Sequence, residues 1–148
     1  MSVGRICSRT VYTATREETV QAAAARMRER GVGTLVVVDG LGRPEGLVTD
    51  RDLTVRVVAD GRDPASTTVG EVASPRPTTV VAETSIESAL GTMRTGRLRR
   101  LPVVDGTDRL VGIITLDDVL ELLAEEFELI GGLLAREAPV PDRQDAPR

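Results

Sequence analysis

The sequence predicts a mixed α/β (α+β) fold of two similar halves, each in the order β-α-β-β-α, packed face to face about a pseudo-two-fold axis. The first reason is an internal repeat: displacing the sequence by 66 residues aligns residues 3–53 with a second copy, without a gap. The second is that apolar residues at helical spacing alternate with short continuous apolar runs, which are typical of strands covered on both faces.

The repeat is clearest around its strands. The run "LVVVDG" at 35–40 returns as "LPVVDG" at 101–106, and "GLVTDRDL" at 46–53 returns as "GIITLDDV" at 112–119. Chance does not hold such a register over some fifty positions. We therefore expect one repeat over residues 1–66, a second over 67–130, and a mobile C-terminal tail over 131–148, where proline and charged residues are frequent.

Each predicted helix and strand follows from the local pattern of apolar, capping and turn residues. In the first helix of each half, apolar residues recur at i, i+3, i+4 and i+7, and Thr84 and Glu87 have the spacing of a capping box. Gly131 and Gly132 are expected to end the last helix. The predicted strands are 11–14, 34–38, 45–49, 78–81, 101–105 and 110–115, and the predicted helices are 17–30, 50–60, 84–96 and 116–130.

The composition excludes several classes of site. The chain has no histidine, and all 19 of its basic residues are arginine, so histidine triads, Walker loops and Schiff-base chemistry are excluded. One cysteine, Cys7, allows neither an internal disulfide nor a zinc knuckle, and we expect no bound metal. With no apolar run of membrane-spanning length and no signal peptide, we expect a cytoplasmic, non-enzymatic protein that does not associate with membranes.

The repeated Thr-x-x-Asp sequence has two interpretations. Thr49 and Asp52, like Thr115 and Asp118, follow a strand and open a helix, where threonine caps the helix and aspartate suits its first turn. The same position, at the end of a strand in an α/β fold, is also where ligands bind. A carboxylate there accepts hydrogen bonds only, so it suits the vicinal diol of a ribose better than a phosphate.

These motifs together resemble tandem cystathionine-β-synthase-type (CBS) domains, the unit called a Bateman module. The resemblance covers about residues 1–130 and rests on the element order, the two "VVDG" strands and the two Thr-x-x-Asp sequences. It implies halves packed through their sheets, two related clefts for adenosine-containing ligands, and a regulatory role, often as a homodimer. It further implies AMP, ADP or ATP as the ligand, or S-adenosylmethionine or NAD, and a regulated protein that is contacted in trans.

The resemblance also implies which residues form each cleft. One cleft is expected to combine Thr79, Val80, Val81, Leu98, Arg99 and Arg100 with Thr49 and Asp52. The other is expected to combine Thr13, Ala14, Thr15, Val32, Gly33 and Thr34 with Thr115 and Asp118. Aliphatic side chains would cover the adenine, since no aromatic residue is expected there. Because Arg99 and Arg100 have the uncharged counterparts Gly33 and Thr34, only the first cleft is expected to bind a phosphorylated ligand.

Two alternatives remain. The chain could be a dimerisation or protein-interaction module whose clefts stay without ligand. It could also bind RNA or DNA through Arg94, Arg97, Arg99 and Arg100, but the net charge of −4 and the scarcity of stacking aromatics disfavour this class.

Overall fold

The computed structural model describes residues 1–137 of the chain, with side chains described to residue 135. The first repeat contributes β1 (Thr13–Ala14), α1 (Val20–Arg30), β2 (Thr34–Val38), β3 (Pro44–Thr49), α2 (Asp50–Leu53) and a π-helical turn (Thr54–Val58). The second contributes α3 (Val69–Val72), β4 (Ser74–Pro75), β5 (Val80–Val81), α4 (Ile86–Gly96), β6 (Arg100–Val104), β7 (Leu110–Thr115) and α5 (Leu116–Glu137). A short 3-10 helix, Val3–Arg5, precedes them.

The strands form two related sheets. In the first, the order is β1-β2-β3-β4, with β1 parallel to β2 and the other pairs antiparallel. In the second, the order is β5-β6-β7, with the same parallel and antiparallel pairs. The predicted fold class is confirmed, and both copies even share the register irregularity near the end of the middle strand, at Val37/Val38 and Val103/Val104.

Each sheet is completed by the opening segment of the other repeat. β4 follows the start of the second repeat but pairs with β3 of the first. In the same way, Ser8 near the N-terminus pairs with Ile113 in β7, and each backbone N–H donates to the other's carbonyl at 2.9 Å. The opening segments of the two sequence repeats are thus exchanged between the two halves in space.

The two hydrophobic cores show the same exchange. The first core contains Val69 and Val72, which belong to the second repeat in sequence, packed with Leu35 and Val48. The second core contains Val3 and Cys7 from the N-terminus, packed with residues of β6, β7, α4 and α5. Val3 is completely buried. The N-terminal segment is therefore part of the second core.

The helix boundaries correct three sequence expectations. The N-cap of α4 is Ser85, whose hydroxyl accepts from Ser88 N–H, because the Thr84 hydroxyl instead accepts from Val81 N–H and closes the preceding turn. The helix predicted over 50–60 divides into α2 and the π-helical turn. Finally, α5 continues through Gly131 and Gly132 to Glu137, so the predicted tail starts too early, and its remaining residues, 138–148, lie outside the described residues.

The turn before α1 is held by an ion pair that gives stability a pH dependence. Both carboxylate oxygens of Glu18 accept from Arg26, at 2.7 and 3.0 Å, and Oε2 also accepts from Thr15 N–H. The Arg26 hydrogen bonds hold the pKa of Glu18 below its ordinary 4.5 despite partial burial. Since the folded-state pKa is depressed, the stabilisation is complete above about pH 4.5 and disappears as the pH falls through the folded-state value.

We predict that Glu18→Gln lowers the free energy of unfolding by about 1 kcal/mol at pH 7, because charge-assisted hydrogen bonds become ordinary ones. Urea unfolding of both proteins at pH 7 and near pH 3 measures the difference, which should shrink at the lower pH. Glu17→Gln, at an exposed neighbouring position, is the control. A difference that persists undiminished in acid would show that the Glu18 charge is not the cause.

Candidate functional site

The two Thr-x-x-Asp sequences form nearly identical helix caps. The backbone N–H of Thr49 donates to Oδ2 of Asp52 at 2.9 Å, and the Asp52 N–H donates to the Thr49 hydroxyl at 3.1 Å. In the second copy, Thr115 N–H donates to Oδ2 of Asp118 at 2.6 Å, and Asp118 N–H donates to the Thr115 hydroxyl at 3.2 Å. The capping interpretation therefore describes both pairs, and one oxygen of each carboxylate is engaged within its own helix turn.

The strand register places each cap beside the middle strand of its own half. Thr34 pairs with Thr49, and Arg100 pairs with Thr115. The backbone closes the same junctions, since Asp50 N–H donates to the Gly33 carbonyl at 3.0 Å and Leu116 N–H donates to the Arg99 carbonyl at 2.8 Å. Arg100 therefore neighbours Thr115 rather than Thr49, with which the cleft assignment had grouped it.

A cavity of about 250 Å³ lies where these junctions of the two halves meet. Its walls come from the segment before β1, the starts of β2 and β6, the end of β7 and the first turn of α5. The lining residues are Thr10, Val11, Tyr12, Val32, Gly33, Thr34, Arg99, Arg100, Ile113, Thr115 and Asp117. Both repeats thus contribute to one concave site, as the resemblance implies.

The Thr34 hydroxyl is the most unusual polar group of this cavity. It is the single buried side-chain oxygen or nitrogen in the described part of the chain that lacks a hydrogen-bond partner. Buried polar groups are nearly always paired, because an unpaired one costs about 1–3 kcal/mol. Thr34 lines the cavity, but its hydroxyl oxygen is closed to water, so a ligand would supply the missing partner only after the side chain rotates.

The charge of the lining is weakly positive. Arg99 and Arg100 contribute two guanidinium groups and Asp117 one carboxylate, and the Arg99–Asp117 pair is loose, with 3.9 Å between Nη2 and Oδ1. Both side chains of that pair are at least 70% exposed, so water screens their attraction. The cavity rim can therefore offer Arg99 to an anionic group without breaking a tight ion pair.

Residues assigned to different predicted clefts meet in this cavity. It brings Arg99 and Arg100, expected beside Asp52, together with Val32, Gly33, Thr34 and Thr115, which were expected in the uncharged cleft. Asp118 itself is not among the lining residues that the described structure gives, whereas its neighbour Asp117 is. Asp52 is partly buried, and its Oδ1 lies 3.8 Å from Nη2 of Arg56.

The early-strand residues lie elsewhere. Ala14 and Val80 are buried in the first and second cores, and Leu98 packs against the second core. Thr13 lines a separate cavity of about 330 Å³ and Thr79 one of about 370 Å³, while Thr15 lines a shallow site beside Glu18. Val81 is 42% exposed. Of the early-strand residues assigned to the clefts, none lines the cavity described above.

Sequence reasoning missed the residues just before β1. Thr10, Val11 and Tyr12 line the cavity, where residues 13–15 were expected. Tyr12 is the one aromatic residue among the lining residues. Its ring is partly buried against the first core, and the Arg30 guanidinium lies 5.4 Å from the ring centroid. The one available signal in the sequence was that Tyr12, the only tyrosine, lies within the predicted strand 11–14.

Other kinds of site find no support in residues 1–137. No group of three or more cysteine or carboxylate side chains there is arranged to hold a metal ion. None of the helices in that range combines the length and apolar character needed to cross a membrane.

Comparisons with known proteins agree with this architecture. The sequence profile of the CBS domain matches residues 3–59 and 69–125. Hypoxic response protein 1 of Mycobacterium tuberculosis is 40% identical over 108 residues, which cover 73% of this chain and 75% of that protein. The uncharacterised protein MK0525 of Methanopyrus kandleri is 35% identical over 122 residues, 82% of this chain, but the match spans only 62% of that protein.

Solved structures share the fold. A putative signal-transduction protein with CBS domains from Burkholderia ambifaria superposes over the whole of both chains, with a TM-score of 0.76 and 29% identity. A cyanobacterial CBS-CP12 protein, described as hexameric, has a TM-score of 0.73 at 30% identity and covers 81% of this chain and 69% of its own. The CBS domain pair of MJ0100, solved with 5′-methylthioadenosine and S-adenosylmethionine, has a TM-score of 0.75 at 24% identity over 83% of this chain and 99% of its own.

Proposed function

Because this chain belongs to the CBS domain family, as two CBS domains in tandem, we propose that it is a regulatory module that binds an adenosine-containing ligand between its repeats. Proteins with such domain pairs are typically regulatory rather than catalytic. AMP, ADP or ATP is the proposed ligand, with S-adenosylmethionine or NAD as further candidates. The chain would transmit the bound state to another protein in trans.

The observation that carries the proposal is the cavity to which both repeats contribute, with two arginines among its lining residues. A nucleoside offers hydroxyl and ring-nitrogen partners for Thr34 and Thr115, and a phosphate suits Arg99 and Arg100. The cavity volume is slightly below the roughly 300–1,000 Å³ of typical ligand pockets. The nucleoside would therefore fill it, and the phosphates would extend to the exposed side chain of Arg99.

The remaining residues of the two predicted clefts keep a proposed role. Asp118 and Asp52 each have one carboxylate oxygen engaged by the preceding threonine, and we propose that the other oxygen accepts from ribose hydroxyls. Thr13, Ala14 and Thr15, and their counterparts Thr79, Val80 and Val81, lie outside the cavity around Thr34, so their backbone groups would meet the adenine edge only of a ligand bound in the separate clefts. There, apolar side chains such as Val80 and Leu98 would cover the faces of the adenine.

Calorimetric titration with AMP, ADP, ATP, NAD and S-adenosylmethionine tests the proposal. Heat of binding saturating at one or two ligands per chain, for at least one of the five, is the expected result. Absence of heat from all five, together with a melting temperature that none of them changes, would leave the dimerisation or protein-interaction alternative as the better account.

Thr34→Val separates a ligand role from a structural one. Valine has the same shape without the orphaned hydroxyl, so the ligand-free protein should be more stable by about 1 kcal/mol. Binding of the adenine nucleotide should weaken by about 5-fold to 10-fold, because one hydrogen bond is lost. Urea unfolding and calorimetry measure the two effects. Thr95→Val, at an exposed position of α4, is the control for the substitution itself. Unchanged affinity would assign Thr34 no part in the site.

Self-association and location complete the proposal. We propose that two copies form a homodimer, which is consistent with the higher-order assembly described for one relative of the same fold. We also place the protein in the cytoplasm, where the single, buried Cys7 would remain reduced.

A further inference from the structure

The last helix carries large apolar side chains that nothing in the described structure covers. Only the start of α5 packs on the second core, through Val119, and every residue of 123–135 is exposed. This helix also extends past residue 125, where the family match ends. Leu120, Leu123, Phe127, Ile130 and Leu134 are between 44% and 70% exposed. We call these five residues the α5 seam.

The α5 seam has the spacing of a helix-pairing surface. Its members follow one another at intervals of three, four, three and four residues, the a/d pattern of a coiled coil. At 100° per residue, they fall within one stripe about 80° wide along the helix. A stripe of this kind fits another helix lying along it, whereas an isolated helix in water gains nothing from it.

Two other partners that could bury the α5 seam can be excluded. Residues 138–148 consist of prolines, alanines, charged residues, one glutamine and a single valine, so they lack the apolar area to cover five large side chains. A lipid surface attracts helices with basic polar faces, but residues 116–135 contain six acidic and no basic residues. What remains is another helix of similar character.

We propose that the α5 seam pairs with the α5 seam of a second copy, antiparallel about a two-fold axis near Phe127 and Ile130. This assignment rests on the proposal that two copies associate, and it is independent of the nucleotide. With the neighbouring Leu133, six partly exposed side chains at roughly 100 Å² each provide about 600 Å² per copy, at the lower end of the ~600–1,000 Å² per partner of a standard interface.

The direction of pairing follows from the charges along α5. Glu121, Glu125, Glu126 and Glu128 lie in its middle, and no charged residue occurs from 129 to 135. A parallel pair would align the acidic segments side by side, where like charges repel. An antiparallel pair sets each acidic segment against the uncharged segment of the other copy, and it closes as a symmetric dimer.

Phe127→Glu and Leu129→Glu form a matched test. The two positions are 70% and 71% exposed, but Leu129 lies outside the α5 seam, more than a quarter-turn from its edge. Analytical ultracentrifugation should find a wild-type dimer whose dissociation constant rises at least ~100-fold in Phe127→Glu, since the symmetric dimer carries the change twice. Leu129→Glu should change it several-fold less. Circular dichroism and nucleotide titration establish that each variant is folded.

The outcomes separate the two proposals. If the wild-type protein is a monomer, self-association itself is overturned. The same holds if the wild-type protein is a monomer whose α5 binds lipid vesicles. A wild-type dimer that Phe127→Glu leaves intact, or that both substitutions weaken equally, overturns the α5 seam alone. Nucleotide binding is unaffected in either case.

Disulfide trapping tests the direction in a Cys7→Ser background. In an antiparallel pair, Leu123→Cys of one copy lies near Leu134→Cys of the other, so a mixture of the two variants should cross-link and Leu134→Cys alone should not. Cross-linking of Leu134→Cys with itself would show a parallel pair and contradict the proposed geometry.

Discussion

An Arg99→Ala/Arg100→Ala double variant is expected to bind the phosphorylated ligand at least about 100-fold more weakly than the wild type. Each charge-assisted hydrogen bond contributes about 1.5–3 kcal/mol, and tenfold in affinity corresponds to 1.4 kcal/mol. Both arginines line the cavity between the repeats, and Arg99 makes a loose contact with Asp117, with 3.9 Å between Nη2 and Oδ1. Calorimetry with AMP and ATP measures the loss.

The control for this pair is Arg94→Ala, which removes the same charge from the exposed face of α4 and does not touch the cavity. It should leave affinity within about twofold. Adenosine should lose much less affinity than AMP in the double variant, because it lacks the phosphate that the arginines would meet. Equal losses for adenosine and AMP would contradict the assignment of these arginines to a phosphate.

Gly112→Ala is expected to lower the free energy of unfolding by about 2 kcal/mol, which is within the usual cost of overpacking. A Cβ at Gly112 would lie 2.9 Å from the Ser8 carbonyl oxygen and 3.2 Å from Sγ of Cys7. The backbone of the N-terminal segment must therefore move away from β7. Because Val3 and Cys7 belong to the second core, this movement also loosens their packing.

Gly106→Ala is the matched control, since a Cβ there meets nothing within 4 Å. Hydrogen exchange localises the effect: the amides of Ser8 and Ile113, which bond each other's carbonyls, should lose protection in Gly112→Ala. Protection of both amides at the wild-type level, with unchanged stability, would mean that the N-terminal segment does not complete the second sheet.

The helices and strands could be predicted because their sequence patterns are local and occur twice, once in each repeat. The exchange of the opening segments between the two halves could not be predicted. The apolar residues Val3 and Cys7 indicate that the N-terminal segment is buried, but they would fit either core, and no spacing in the sequence shows which core they join.

The length of α5 was missed for a different reason. Glycine ends a helix when the backbone needs a positive φ, yet Gly131 and Gly132 are not among the glycines with positive φ and continue the helix.

For the candidate site, sequence reasoning named residues at these strand–helix junctions but not how the junctions combine in space. Gly33, Thr34, Thr115, Arg99 and Arg100 do line one cavity. Their division into a charged and an uncharged cleft depended on distances between the two halves, which the repeat does not encode. The position of Tyr12 depends on how β1 docks parallel to β2, which a strand of two residues does not reveal in sequence.

A crystal structure of the protein with AMP tests the central claim most directly. We predict density for the nucleoside between Val32–Thr34 and Thr115, a hydrogen bond to the Thr34 hydroxyl, and the phosphate within reach of Arg99 or Arg100. A nucleotide bound outside this cavity, or an empty cavity in crystals grown at saturating AMP and ATP, would contradict the account.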